Sequence, residues 1–196
     1  VSKLSEKGIK PTLATILVGN DPASETAAHA QVLRTCVTTV AQSYIQTMLN
    51  SVEVVVSMEG GVDDPLEDEG SLREALDRLP VIARLQYESV AQFLRSSFET
   101  LLSEFDQQRQ AVYATIMQGR LTWLVLITSS VIGGTGGTDS KKNTTELGWD
   151  GQLCRCVFTL IERLDRRAAQ SKVRADSKLE LAILSFFKNF KKYGMK

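Results

Sequence analysis

The sequence predicts an all-α fold of successive antiparallel helices, a bundle or an α-solenoid, with one short strand-like segment near the N-terminus. Three observations carry that expectation. From about residue 24 onward, apolar residues recur at spacings of three and four over most of the chain. Glycine and proline fall mainly between those periodic stretches, as in Gly60–Gly61, Pro65, Gly70 and Gly133–Gly137, where they act as separators. Only one run, Thr12–Val18 (TLATILV), has the β-branched composition of a buried strand, set between Pro11 and the turn residues GNDP. A single strand cannot satisfy its own edges, so this run either pairs outside the chain or is not a strand.

The elements follow in order. Residues 24–58 contain no Gly or Pro, and Leu33, Val37, Val40, Tyr44, Met48 and Val52 recur there at three- and four-residue spacing, which marks a long amphipathic helix. The Gly60–Gly61 pair stops it. An acidic loop, DDPLEDEG (Asp63–Gly70), comes next. Ser71 and Glu74 form a capping-box pattern for a helical run over 71–106, which Pro80 is expected to break or kink. A further helix is expected at about 119–133, after a bridging stretch. Residues 133–149 (GGTGGTDSKKNTTELGW) lack periodicity and predict a flexible loop. Two more helices close the chain, at about 150–169 and 176–193. The expected organisation is a short N-terminal segment, 1–28, and a helical region, 29–196.

Charge and cysteine usage narrow the function. The 23 Lys and Arg balance the 23 Asp and Glu, so no global field favours nucleic acid or anionic lipid. At 43% hydrophobic, the 196 residues have enough apolar material for a core. The three cysteines, Cys36, Cys154 and Cys156, are odd in number and poorly spaced for a disulfide framework, which suits a reducing compartment. No basic-then-apolar leader opens the sequence. The most apolar run, Leu121–Gly134, is shorter than the roughly 20 residues a bilayer span needs, so a soluble chain is expected.

No catalytic, cofactor-binding or metal-binding constellation emerges. His29, the only histidine, has no triad context and is expected on a helix surface. Cys154 and Cys156 lack the further ligands that zinc requires, and at i and i+2 they point apart on a helix, so at least one belongs to the core. The glycines at 133–137 follow a helical pattern, and Lys141 and Lys142 come too late for a phosphate-binding loop. Two charged stretches remain. The acidic one runs from Glu59 to Asp77. The basic one includes Arg163, Arg166, Arg167, Lys172, Arg174, Lys178, Lys188, Lys191, Lys192 and Lys196. An acidic loop can steer a basic partner.

Two resemblances follow from particular stretches. GIKPTLATILVGNDPASET, Gly8–Thr26, resembles the bifunctional methylenetetrahydrofolate dehydrogenase/cyclohydrolase family. That family continues with a tyrosine and, four residues on, a catalytic lysine; here those positions hold Ala27 and Gln31. Glutamine cannot act as a proton-transferring amine, so the resemblance implies an NADP-dependent folate enzyme stripped of its catalytic residues. The rest resembles the exportin-7 family, Ran-binding nuclear transport receptors of the importin-β superfamily. The matching blocks are VAQSYIQTMLNSVEVVV (Val40–Val56), DDPLEDEGSLREALDRLPVIARLQYE (Asp63–Glu88), GRLTWLVLITSSVIGG (Gly119–Gly134), DGQLCRCVFTLIERLD (Asp150–Asp165) and KLELAILSFFKNFKK (Lys178–Lys192). They stand in the family's order over roughly 40–192. This resemblance implies antiparallel helix pairs of HEAT-repeat type and no catalysis. It also implies Ran in its GTP form, protein cargo and nuclear pore proteins as partners, no direct nucleic-acid or membrane binding, and shuttling between nucleus and cytoplasm. On it, the residues expected to meet Ran are Asp63, Asp64, Glu67, Asp68 and Glu69, because carboxylates pair with a basic patch.

Overall fold

The computed structural model describes residues 25–58, 61–107, 111–133, 144–171 and 175–193. They form six helices: α1 Glu25–Ser57, α2 Glu69–Leu85, α3 Tyr87–Gln107, α4 Ala111–Gly133, α5 Thr144–Ser171 and α6 Ser177–Tyr193. No strand occurs among the described residues. The strand-like run 12–18 and the segment through residue 24 lie outside them.

The helices pack in two rows. α2, α4 and α6 lie side by side in one, and α3 and α5 in the other, with α1 against α4 and at the edge of both. Packing between alternate helices of the chain is what a stack of antiparallel pairs produces, so the expected all-α solenoid architecture is observed. α4 sits at the centre and touches each of the other five helices. Its composition explains this position: Ile116, Met117 and nearly every residue from Leu121 to Gly133 are buried, leaving no polar face. By length and hydropathy α4 would pass for a membrane span, unlike the shorter run expected from the sequence. The five surrounding helices cover it instead. Each large side chain fully buried in this core, such as Trp123, Phe98, Leu160 or Phe186, contributes about 1.5–3 kcal/mol of transfer free energy.

One close approach makes this packing possible. A Cβ on Gly119 of α4 would stand 2.5 Å from Cγ1 of Val52 on α1. Next to it, Arg120 reaches α1 as well, donating from Nε to the Leu49 carbonyl at 3.1 Å and from Nη2 to Glu53 Oε2 at 2.7 Å.

Three sequence expectations are corrected. The helical run 71–106 does divide, but at Gln86, the C-cap of α2, and not at Pro80. Pro80 lies buried within α2. It has no N–H, so the Leu76 carbonyl loses its intrahelical donor, and the Ser130 hydroxyl of α4 donates to that carbonyl instead. The N-cap is Asp68 and not Ser71: its Oδ1 accepts from the Gly70 and Ser71 N–H groups at 3.0 and 3.3 Å. Finally, the loop expected over 133–149 ends early, because α5 begins at Thr144. Tertiary contacts hold this first stretch as helix. Glu146 Oε2 pairs with Arg84 Nη1 at 3.5 Å, Trp149 packs on the core, and buried Asp150 accepts a hydrogen bond from the Tyr87 hydroxyl. Residues 134–143 lie outside the described set.

Candidate interaction surface

The five acidic residues singled out in the sequence do come together on one turn, but they have different duties. Asp64, Pro65, Leu66 and Glu67 form a turn closed by the Glu67 N–H donating to the Asp64 carbonyl at 2.9 Å. Pro65 sets the second position, and Asp64 Oδ1 accepts from the Leu66 N–H at 2.9 Å, the arrangement that short acidic side chains favour in turns. Leu66 packs against the core and fixes the turn to the body. Asp68 then caps α2, and the Ser71 hydroxyl also donates to its carboxylate. Those hydrogen bonds, the Ser71 side chain's foremost, hold the Asp68 carboxyl below its ordinary range.

A lysine from the far end of the chain faces this turn. Lys178 Nζ donates to Asp64 Oδ2 at 2.6 Å and to Glu67 Oε1 at 2.8 Å. Partial desolvation works against its charge, but the hydrogen bonds and negative charges of Asp64 and Glu67 outweigh that and raise its pKa. The lysine is itself held in place. Asp176 Oδ1 caps the start of α6 by accepting from the Lys178 N–H at 2.9 Å, and the Asp176 N–H donates to Gln118 Oε1 of α4 at 2.7 Å. The Asp64 side chain is therefore only 19% exposed, whereas that of Glu67 keeps 69% of its surface in solvent. Asp63 and Glu69 are exposed and make no ion pair among the described residues. The outward face of the turn thus consists of Asp63, Glu67 and Glu69, beside exposed Asp68, whose carboxylate is engaged as the cap of α2. Glu69 also stands at the rim of a groove of about 760 Å³ between α2, α4 and α6, whose lining includes Arg73, Asp77, Ser130 and Asn189.

The basic stretch is not one patch. Arg163 and Arg167 of α5 turn towards the C-terminal end of α3, where Nη1 of each donates to the Leu102 carbonyl at 2.7 Å and the Phe105 carbonyl at 3.0 Å. Phe105 is among the last four residues of α3, whose carbonyls lack a helical donor, so Arg167 closes that end while its guanidinium lies 4.1 Å from the Phe105 ring centre. Lys178 serves the acidic turn. Lys172, Arg174 and Lys196 lie outside the described residues. His29 is exposed on α1, as expected. No cysteine is in a disulfide: Cys36 is exposed, Cys154 buried and Cys156 half-buried, so the C-x-C pair does point one side chain into the core. Sequence reasoning missed the Lys178 contact. Its partners lie 114 and 111 residues away, a separation no local pattern can signal.

Such a molecule is a helical-repeat domain that presents charged surfaces. Comparison with known proteins then places it. Residues 51–196 match the family model described as "Exportin-7-like, TPR domain". The chain is 34% identical to Exportin-7-B of Xenopus laevis over 171 residues, 85% of this chain and 15% of that protein. It is 33% identical over 160 residues to Ran-binding protein 16 of Drosophila melanogaster, covering 78% of this chain and 14% of that one. Ran-binding protein 17 of Mus musculus is 29% identical over 171 residues, 85% of this chain and 15% of the relative. The chain belongs to the exportin-7 family, and it spans about 15% of the length of these relatives. No solved structure matches it significantly.

Proposed function

We propose that the chain is part of a nuclear export receptor that binds Ran in its GTP form together with protein cargo, without catalysing a reaction. The observation that carries this reading is the family match over 51–196, together with relatives whose names are exportin and Ran-binding protein. On this reading the protein shuttles between nucleus and cytoplasm and meets nuclear pore proteins on the way. The acidic turn is the part of the chain offered to Ran. Of the five carboxylates Asp63, Asp64, Glu67, Asp68 and Glu69, all but Asp64 are exposed, and Asp68 is engaged as the cap of α2. Asp64 and Asp68 support the contact by holding the turn's shape.

The test is binding of Ran, loaded with a non-hydrolysable GTP analogue, to the receptor that contains this chain. The double substitution D63N/E69Q leaves the Lys178 contact and the Asp68 cap intact. It is expected to weaken binding several-fold at low salt and less at high salt, because exposed charges steer association and are screened. Unchanged affinity at low salt would remove the acidic turn from the Ran interface. Failure of the unsubstituted receptor to bind Ran would overturn the transport reading itself.

A further inference from the structure

The acidic turn already holds a cation, and the chain itself supplies it. Lys178 Nζ lies 2.6 Å from Asp64 Oδ2 and 2.8 Å from Glu67 Oε1, so two carboxylates converge on one ammonium. The Asp64 side chain is largely covered, whereas that of Glu67 is widely exposed and that of Lys178 partly so. The contact is therefore closed on the Asp64 side and open to solvent on the Glu67 side, where a second cation has access.

Neither side of the contact depends on the other for its shape. The turn is closed by the Glu67 N–H on the Asp64 carbonyl and by the Leu66 N–H on Asp64 Oδ1, with Leu66 in the core and Asp68 capping α2. None of these bonds uses Asp64 Oδ2 or Glu67 Oε1, the atoms that Lys178 holds. On the other side, the Lys178 N–H donates to Asp176 Oδ1, the Asp176 N–H donates to Gln118 Oε1, and the next residue, Leu179, is buried. These anchors fix the lysine's backbone and leave its flexible four-carbon stem able to swing out. Withdrawal of the side chain breaks two charge-assisted hydrogen bonds and leaves both carboxylates on a turn already formed.

We propose that Lys178 is a built-in competitor, which occupies the acidic turn until a lysine or arginine of a basic protein partner displaces it. The inference rests on the reading of the turn as partner-facing, but not on that partner being Ran. Exposed Asp63 and Glu69 draw a basic surface in, and exchange at Glu67 and Asp64 follows. The competitor also sharpens selection. A partner gains at these two carboxylates only what exceeds the internal pair, so weakly basic surfaces are refused.

The experiment measures binding of an octa-arginine peptide, its N-terminus blocked by fluorescein, to the full chain by anisotropy at low salt. Acylation of Lys178 and Lys188 by acetic anhydride is followed in parallel by peptide mass analysis. Lys188, exposed on the same helix, is the control. Lys178→Met is expected to tighten peptide binding about threefold, and Lys188→Met, which removes the same charge further from the turn, by less than about 1.5-fold. In the unsubstituted chain, bound peptide is expected to speed acylation of Lys178 and leave Lys188 unaffected. The displaced amine leaves the carboxylates that, against desolvation, raise its pKa. Equal tightening by both methionine variants would overturn the inference, because net charge alone would explain it. So would unchanged or slower acylation of Lys178, which means that the peptide sits beside the lysine and not in its place, and so would absence of peptide binding. Should the peptide behave as expected while Lys178→Met leaves Ran binding by the receptor unaltered, the competitor stands and Ran is removed from the turn.

Discussion

α4 and α6 pack against each other, yet they meet opposite conditions. From Ile116 onward α4 is mostly buried among five helices, and only its first turn, with Val112 at 65%, is widely exposed. α6 buries Leu179, Ala182 and Phe186 against α4 and leaves Leu181 and Leu184 more than 60% exposed, with Phe187 at 40%. Beside them Phe158 of α5 is 38% exposed, its ring centre 6.1 Å from that of Phe187. Burial in a stack of helix pairs therefore follows position in the stack and not residue type. An inner helix has neighbours on every side, whereas one at the end of a row has a covered face and an open one.

The inner helix should be the more sensitive of the two. Trp123→Ala should cost about 3–5 kcal/mol, because a fully buried indole leaves a cavity that five packed helices cannot close. Chemical denaturation would measure it, and a loss below about 1 kcal/mol would mean that α4 is not the core.

The next effect has a sign opposite to local propensity. Alanine is better than glycine within a helix by about 1 kcal/mol. Gly119→Ala should nevertheless destabilise by about 1–3 kcal/mol, since the new methyl meets the stiff, branched Val52 side chain. Adding Val52→Ala should recover part of that loss, and absence of recovery would show that the α1–α4 approach is not the cause.

Tyr87→Phe tests the elbow between α2 and α3. Removing the hydroxyl deprives buried Asp150 of a donor and should cost about 1–3 kcal/mol. Burial foremost, then the Asp150 charge and hydrogen bond, pushes the Tyr87 pKa far above its ordinary 10.0. A group whose pKa is raised by folding contributes stability that is fully present below the unfolded value and lost as pH rises beyond it. Stability should therefore decline above about pH 10. That decline should be smaller in Tyr87→Phe. An identical alkaline profile in both proteins would assign it to other groups.

The smallest effect belongs to the open face. Leu184→Ser should change stability by no more than about 0.5 kcal/mol, but it should reduce concentration-dependent self-association of the isolated chain in sedimentation velocity. A stability loss comparable to that of Trp123→Ala would show α6 to be as enclosed as α4.

Much of this architecture was legible along the chain. The three-and-four spacing marked α1 and most of α2, α3, α5 and α6, and a further helix was expected at about 119–133, although its start at Ala111 was not. The acidic turn was legible as a cluster, though not in its division of labour. Asp64 and Asp68 look like Asp63 in the sequence, but Lys178 and the start of α2 turn them to structural use.

The helices and their apolar faces are written in the chain, because periodicity and turn residues act over a few neighbouring positions. Other features exist only once the helices pack. Pro80 remains inside α2 because Ser130, 54 residues from Leu76, supplies a hydrogen bond to the carbonyl that Pro80 leaves open. α5 begins at Thr144 because Arg84 and Tyr87 meet that stretch. Packing also brought Lys178 to Asp64. The reason is physical: hydrogen bonds and charge pairs depend on distance in space, and folding joins residues that no local pattern connects.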